Sequence, residues 1–407
     1  MSTRPVHLAA ALAVRRLARH VRGGTLVVED GRGAHRFGAG PPEVRVRVVD
    51  DRVYAAVVGR GSIGLAEAYA AGQLECDDPC GLVQVLSRSL APLTAVHDRL
   101  GRLSATVGDP VRRLAPPTPG DDRRNVQAHY DLSNAFFELL LDETMTYSCA
   151  VFERPGATLA EAQRAKLDRL FAKLDLGPDD HLVEIGTGWG GLAVHAATRT
   201  GCRVTTTTIS AAQYELARSR VEAAGVADRV TVLERDYREL TGTFDKLVSV
   251  EMVEAVDWRL HDTFFATCAR LLRPGGLAAI QAITIDDRSF DRAKNRSDFI
   301  TGVIFPGGCI PSVASLVRSV SRATPMTVVD LEDIGRHYAE TLHRWRDNLR
   351  ANAEAVDSLG LDERFRRLWE LYLAYCEAAF LERHISDVQV ILAKPAWEAP
   401  LLVRGRG

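Results

Sequence analysis

Hydrophobic and polar positions change rhythm several times along this chain. Residues 8–22 place Leu8, Leu12, Ala13 and Leu17 at helical spacing with arginines between them, which predicts an amphipathic helix. Packing on its own domain is favoured for this helix over a position on a membrane surface. Residues 25–28 and 44–48, separated by a Gly-rich turn at 31–33, alternate like strands of a small antiparallel unit, and 63–90 reads as helix. The stretch 96–124 is basic and Pro-rich with little periodicity, the pattern of a linker. Beyond it short apolar runs at 182–185, 203–207, 230–233, 246–250 and 277–280 alternate with helical segments at 190–199, 211–224 and 258–272. That alternation predicts an α/β, Rossmann-like fold: a mostly parallel sheet with helices on both faces. Residues 311–384 read as mainly helical, and 388–392 as a late edge strand. The expected organisation is a smaller α+β domain over 1–95, a linker over 96–124 and the larger domain over 125–407.

Composition narrows the class. The chain has 407 residues, 46% hydrophobic and 26% charged, room enough for both domains. A formal net charge of -2 excludes the global basic field that would draw the whole molecule to nucleic acid. The basic linker is a local exception: such a segment is usually just solvated, with a place against anionic headgroups as the alternative. Seven cysteines, at 76, 80, 149, 202, 268, 309 and 376, form neither paired C-x-x-C knuckles nor a dense framework, so reduced thiols and no metal site are expected. Arg15 and Arg16 interrupt the N-terminal apolar residues too early for a signal-peptide core, and no run approaches the roughly 20 apolar residues that span a bilayer. A cytoplasmic protein is expected.

The chemistry concentrates at strand ends. Glu184, Ile185, Gly186, Thr187, Gly188, Trp189, Gly190 and Gly191 follow a strand and open a helix, where glycines permit a tight turn and close approach to a ligand. Spacing alone leaves a dinucleotide open, because Gly191 supplies the third glycine. Two features oppose it. Glu184, before the turn, suits the amino-bearing methionine end of S-adenosylmethionine (SAM), and the next strand ends neutrally in Thr208, Ile209, Ser210 and Gln213, with no ribose-binding acid. Asp236, Tyr237 and Arg238 then offer an acid and an aromatic face for an adenine. Each residue alone is an ordinary loop polar group; their order at successive strand ends favours SAM.

With these residues on the page, the chain resembles the cyclopropane-fatty-acyl-phospholipid synthases and mycolic acid cyclopropane synthases. The resemblance rests on the Gly-rich turn and on the segments 129–134 (HYDLSN), 145–150 (MTYSCA), 208–213, 304–312 (IFPGGCIPS) and 337–342 (HYAETL). It runs from about 125 to 394, and residues 20–90 resemble an N-terminal domain that the mycolate branch lacks. It implies SAM contacts at Tyr147 and Ser148, along 182–190, at 208–213, and at Tyr237 and Arg238. It also implies a bicarbonate ion serving as base, with Cys149, Glu254 and Tyr338 matching its holders. Gln281 stands where the family has a histidine, Glu251 where the bacterial cyclopropane enzymes tend to have glycine, and Ala255 where they have histidine. These departures resemble the branch of plant cyclopropane synthases and actinobacterial methyltransferases that make 10-methylene fatty acids. Cys376 resembles a cysteine long labelled as the active site and is carried as a candidate on that ground, although buried packing suits it better because an alkene needs no thiolate.

The implied activity is methyl transfer from SAM to the double bond of an unsaturated phospholipid acyl chain, giving a cyclopropane or a methylene branch. Transfer leaves a carbocation, so the site must be dry, and a base must take a proton from near the new methyl group. Phe136, Phe137, Trp258, Phe264, Phe299, Phe305 and Tyr338 are candidate walls. Glu251 and Glu254, three apart after a strand, are expected to crowd one pocket and raise the pKa of one of them. Partners implied are acyl chains, a peripheral contact at the inner membrane face, a second copy of the chain, and a separate reductase for a methylene product. The competing readings are a SAM methyltransferase acting on a small-molecule nucleophile and a SAM-binding module without catalysis.

Overall fold

The structure, a computed structural model, describes residues 4–89, 133–295, 299–305 and 308–398, with side chains from residue 8 onward. The expected linker 96–124 and the motif residues His129, Tyr130, Asp131 and Leu132 lie outside the described residues.

At the N-terminal end, β1 (Gly24–Asp30), β2 (Gly33–Ala39), β3 (Glu43–Val48) and β4 (Leu74–Cys76) form a four-stranded sheet in the order β2-β1-β3-β4. The sheet is mixed rather than antiparallel, since β1 and β3 run parallel. The reason is the return from β2, which carries the chain past the Thr25 amide, hydrogen-bonded to Pro42 O at 2.8 Å, and onto the far side of β1. Helical rhythm begins earlier than expected, with a helix over Arg52–Ala70. After β4, a further helix covers 79–89.

Helix Arg4–Ala18 packs on Arg52–Ala70, as the sequence suggested, but with the opposite face inward. Ala10, Ala11 and Ala18 are buried, while Leu8, Leu12 and Leu17 are 46%, 58% and 58% exposed. Small alanines let the two helices approach closely, which leaves the leucines outside. Arg15 anchors this helix to Asp30, which also accepts the Tyr54 hydroxyl at 2.6 Å.

The larger sheet contains β5 (His181–Ile185), β6 (Arg203–Thr208), β7 (Val230–Glu234), β8 (Phe244–Val250), β9 (Leu272–Ile285), β10 (Thr327–Asp333) and β11 (Ile385–Ala393), in the order β10-β11-β9-β8-β5-β6-β7. From β9 to β7 all neighbours are parallel. Alternate residues of each strand feed one of two cores: Val183, Leu247 and Ile280 on one face, Leu182, Val248 and Ala279 on the other. Two-sided burial explains the nearly continuous apolar runs. The late strand β11 is interior rather than an edge, antiparallel to β9 on one side and β10 on the other. The edge is β10, within a region the pattern gave to helices; its Val328, Val329 and Leu331 are exposed among Thr, Asp and Glu, so its apolar signal is diluted.

Helices Gly335–Ala351 and Glu363–Leu381 pack together and join the two parts of the molecule. Arg367 donates to Tyr69 O and Leu74 O, both at 2.7 Å, and Arg88 forms a forked pair with Glu382 at 2.8 and 2.6 Å. Among the described residues no helix is long and apolar enough to cross a membrane.

Candidate active site

The turn after β5 is built by glycine. Gly186 has φ +101° and Gly190 has φ +83°, backbone that L side chains rarely adopt. A Cβ on Gly190 would also stand 3.1 Å from Ala217, so this glycine brings helix Gly191–Thr200 against helix Ala211–Ala223. The turn opens on a cavity of about 190 Å³.

Most residues expected to hold a cofactor line that cavity: Tyr147, Ser148, Glu184, Gly186, Thr187, Gly188, Trp189, Thr208, Ile209, Gln213, Asp236, Tyr237 and Arg238. Gly190 and Ser210 stand behind it. Gly190 starts one helix, and Ser210 caps the next by accepting the Gln213 amide. Gln213 Oε1 accepts the Thr208 hydroxyl at 2.9 Å. Trp189 packs on Phe137, with ring centres 4.7 Å apart, and its indole donates to Asn134 Oδ1 at 2.9 Å. Asp236 is committed to Arg238, which it receives at 2.9 and 2.6 Å, and the guanidinium lies over the Tyr237 ring.

Glu184 is fully buried at the end of β5 and accepts the Thr206 hydroxyl at 2.6 Å; burial pushes its carboxyl up to about 8. A cationic or hydroxyl-bearing ligand would favour its charged form. Lys166, which the sequence reading missed, also lines the cavity. Its Nζ donates to Ser148 Oγ at 2.7 Å, and burial lowers its pKa against the pull of Glu251. It lies on the inward stripe of helix Leu159–Leu174 beside Gln163, Leu167 and Leu170, so a lysine inside an apolar period was the available signal.

Glu251 forms the far wall, and the base candidates converge on it. Its Oε1 accepts the Cys149 amide and Gln281 Nε2, both at 2.8 Å, and its Oε2 accepts the Tyr338 hydroxyl at 2.5 Å. Gln281 also donates to Asp387 Oδ2 at 3.0 Å and accepts from Gln389 at 3.1 Å. Asp387, a second residue missed in the sequence, is fully buried, and its carboxyl is held well above the usual range by burial and by Glu251. Polar residues inside a strand flanked on both sides were its signal.

Glu254 sits one step behind, with Oε1 on the Ile283 amide and Oε2 buried without a partner. Burial, then repulsion from Glu251, raises its pKa to about 8, the crowding expected of the two carboxyls. Its carbonyl receives the Cys309 amide at 2.8 Å, which ties in the 304–312 segment. Cys149 contributes its backbone amide rather than a thiolate, since burial pushes the thiol well up. Ala150 N, beside it, donates to Thr341 Oγ1 at 3.1 Å, so the 145–150 and 337–342 segments meet here. The bicarbonate implied by the resemblance does not fit this arrangement: the donors that would hold it are spent on Glu251.

Cys376 is not in this cluster; it is half-buried on helix Glu363–Leu381, packed against the main apolar core. Among the expected walls, Phe136 and Phe137 are fully buried together, Tyr338 stacks on Phe380 at 4.5 Å, Phe305 meets Tyr372 at 5.9 Å and Phe299 meets Tyr375 at 5.7 Å. Phe264 is ordinary core beneath Tyr237, and Trp258 is covered by Lys294 at 4.5 Å.

The profile of the family described as mycolic acid cyclopropane synthetase matches residues 118–390. The chain belongs to this family. It is therefore a methyltransferase. It is 41% identical over 347 residues to tuberculostearic acid methyltransferase UfaA1 of Mycobacterium tuberculosis, covering 83% of this chain and 80% of that one. It is 35% identical over 362 residues to the cyclopropane-fatty-acyl-phospholipid synthase of Escherichia coli K12, covering 88% and 89%. The solved mycolic acid cyclopropane synthase CmaA1, complexed with SAH and CTAB, superposes with a TM-score of 0.63 at 32% identity over 69% of this chain and 99% of that one. In this family member the Gly-rich turn and Glu251 line one cavity.

Proposed function

We propose that this enzyme transfers the methyl group of SAM to the double bond of an unsaturated acyl chain in a phospholipid. The observation that carries the reading is Glu251, a carboxylate that lines the cofactor cavity and is held by a buried donor set. Bound there, SAM supplies an electrophilic methyl group on a sulfonium. Glu184 offers a buried acceptor for its polar groups, and Tyr237 an aromatic face. Tyr147, its ring tilted against Trp345 with centres 5.0 Å apart and its hydroxyl hydrogen-bonded to that of Tyr372 at 2.8 Å, begins an aromatic layer that keeps water from a carbocation. The relatives named above act on fatty acyl chains by name, and the CmaA1 structure is a complex with SAH and CTAB.

Identity weights the product toward a methylene branch, 41% with the tuberculostearic acid enzyme against 35% with the cyclopropane synthase. A methylene product leaves saturation to a separate reductase. The exposed Leu8, Leu12 and Leu17, with exposed Arg16 and Arg19 beside them, suit a peripheral contact with an anionic bilayer. The bicarbonate of the family has no part in this reading.

Purified enzyme, methyl-labelled SAM and dioleoyl phosphatidylglycerol vesicles test it. Label in the acyl chain, on a product heavier by one carbon and two hydrogens, is expected. Label in the headgroup, or none, rejects the reading, and proton NMR of the product, with ring hydrogens or olefinic methylene hydrogens, separates the isomeric ring from the branch.

A further inference from the structure

We propose that Glu251 is the built-in base of this active site, its carboxylate standing where the family resemblance places a free bicarbonate ion. The inference rests on the function proposed above and deepens it.

Three donors define the position: the Cys149 amide, the Gln281 side-chain amide and the Tyr338 hydroxyl, at 2.8, 2.8 and 2.5 Å from the Glu251 oxygens. All three give hydrogen to the carboxylate and none takes one, the arrangement an anion requires. A separate small anion at this position would have to displace Glu251 from each of them.

The backbone points the same way. Glu251 has φ +49°, a left-handed region where glycine is at ease and a side chain is strained. Such strain persists where the side chain is needed.

The neighbours are unsuited to the task. Burial holds the Cys149 thiol and the Tyr338 hydroxyl in their protonated forms, and Gln281 has no basic atom to offer. Glu254 is a buried acid raised to about 8, so it keeps its proton near neutral pH, and burial with repulsion from Glu251 pushes the Asp387 carboxyl in the same direction. Neither of those two lines the cofactor cavity, and Glu251 does.

In the step assigned to Glu251, a C–H bond of the transferred methyl carbon breaks. Its electron pair moves to the cationic carbon, closing a ring, or forming a methylene double bond once a hydride has shifted along the chain. The proton passes to a Glu251 oxygen. Charge balances: the carbocation and the carboxylate are both neutralised, and no other reactant is consumed.

The test compares wild type, Glu251→Gln and Glu251→Gly on dioleoyl phosphatidylglycerol vesicles, in carbon-dioxide-free buffer and with added bicarbonate. Wild-type methylation of the vesicles is measured first; its absence would reject the function itself rather than the base. Given activity, wild type is expected to run at the same rate, within about two-fold, in both buffers. Glu251→Gln, which still fills the position, is expected to lose about 10²-fold or more and to gain nothing from bicarbonate. Glu251→Gly, which empties a position where glycine fits the backbone, is expected to be equally slow alone and to recover at least ten-fold with bicarbonate. Carbon-13 NMR with labelled bicarbonate is expected to show binding to this variant and none to wild type. A wild-type rate that falls on removing bicarbonate overturns the proposal, even if neither variant folds. So does a Glu251→Gln rate near wild type, or a folded Glu251→Gly that ignores bicarbonate.

Discussion

Tyr338 gives its hydroxyl hydrogen to Glu251 Oε2 at 2.5 Å across 87 residues of chain. The bond ties helix Gly335–Ala351 to the loop after β8, and it holds a cavity-wall carboxylate from outside the cavity, since Tyr338 itself does not line it. Tyr338→Phe keeps the ring stacked on Phe380 and removes only the donor. A hydrogen bond to a charged group contributes about 1.5–3 kcal/mol, so kcat is expected to fall about 10- to 100-fold. The KM for SAM should stay within two-fold. Steady-state kinetics on lipid vesicles check both, and a change confined to KM would contradict the role given to Tyr338.

Glu254 makes stability depend on pH in a direction opposite to that of a salt-bridged acid. Its folded pKa, about 8, lies above the ordinary 4.5, so the folded state holds a proton that the unfolded chain has released. Its favourable contribution is full below about pH 4.5 and is lost as pH rises through 8. Glu184, also at about 8, acts in the same direction. The melting temperature of wild type is expected to fall between pH 5 and 8. Glu254→Gln should flatten that fall by an amount on the order of a few kcal/mol, read from denaturant unfolding at several pH values. An unchanged slope would show that Glu254 titrates normally.

Cofactor binding should release a proton. A ligand that favours the charged form of Glu184 lowers a pKa that stands at about 8 in the free protein. Isothermal titration with SAM at pH 7, in buffers of different ionisation enthalpy, is expected to show net proton release that disappears in Glu184→Gln. Equal apparent enthalpies in all buffers for wild type would dismiss this.

Gly190→Ala tests the helix-to-helix approach behind the turn. The new Cβ would meet Ala217 at 3.1 Å and must adopt a φ of +83°. Strain of this kind costs about 1–3 kcal/mol, and SAM affinity is expected to drop about ten-fold with it. Thermal melts and equilibrium binding measure the two effects, and a melt equal to wild type would mean the turn relaxes freely.

The fold was legible where pattern and period agree. The parallel strands at 182–185 and 246–250 carry continuous apolar runs because both faces are covered, and the Gly-rich turn stands out through φ values only glycine meets cheaply. Where a segment's partners are distant the pattern misled. The Thr327–Asp333 strand reads as polar because at the edge its three apolar residues are all exposed among Thr, Asp and Glu, and Leu8 and Leu12 read as core because alternation cannot tell a leucine stripe from an alanine seam. The site divides in the same way. Residues beside the turn lie together in sequence, whereas Lys166 and Asp387 enter from a helix and a strand far away in the chain, and their meaning depends on burial that only tertiary structure supplies. The crowding of Glu251 and Glu254 was anticipated from spacing; that Glu251 would take the donors meant for a free anion was not.

Arg367 spends two of its guanidinium hydrogens on the carbonyls of Tyr69 and Leu74, while Ala374 and Ala378 on the same helix press against Cys80. The catalytic region therefore wears its N-terminal companion as a fitted cover rather than trailing it on a tether. A clone begun at residue 118 would uncover that seam, leaving a cation stripped of its acceptors and small apolar side chains facing water, and such a fragment should precipitate unless its outer face is redesigned.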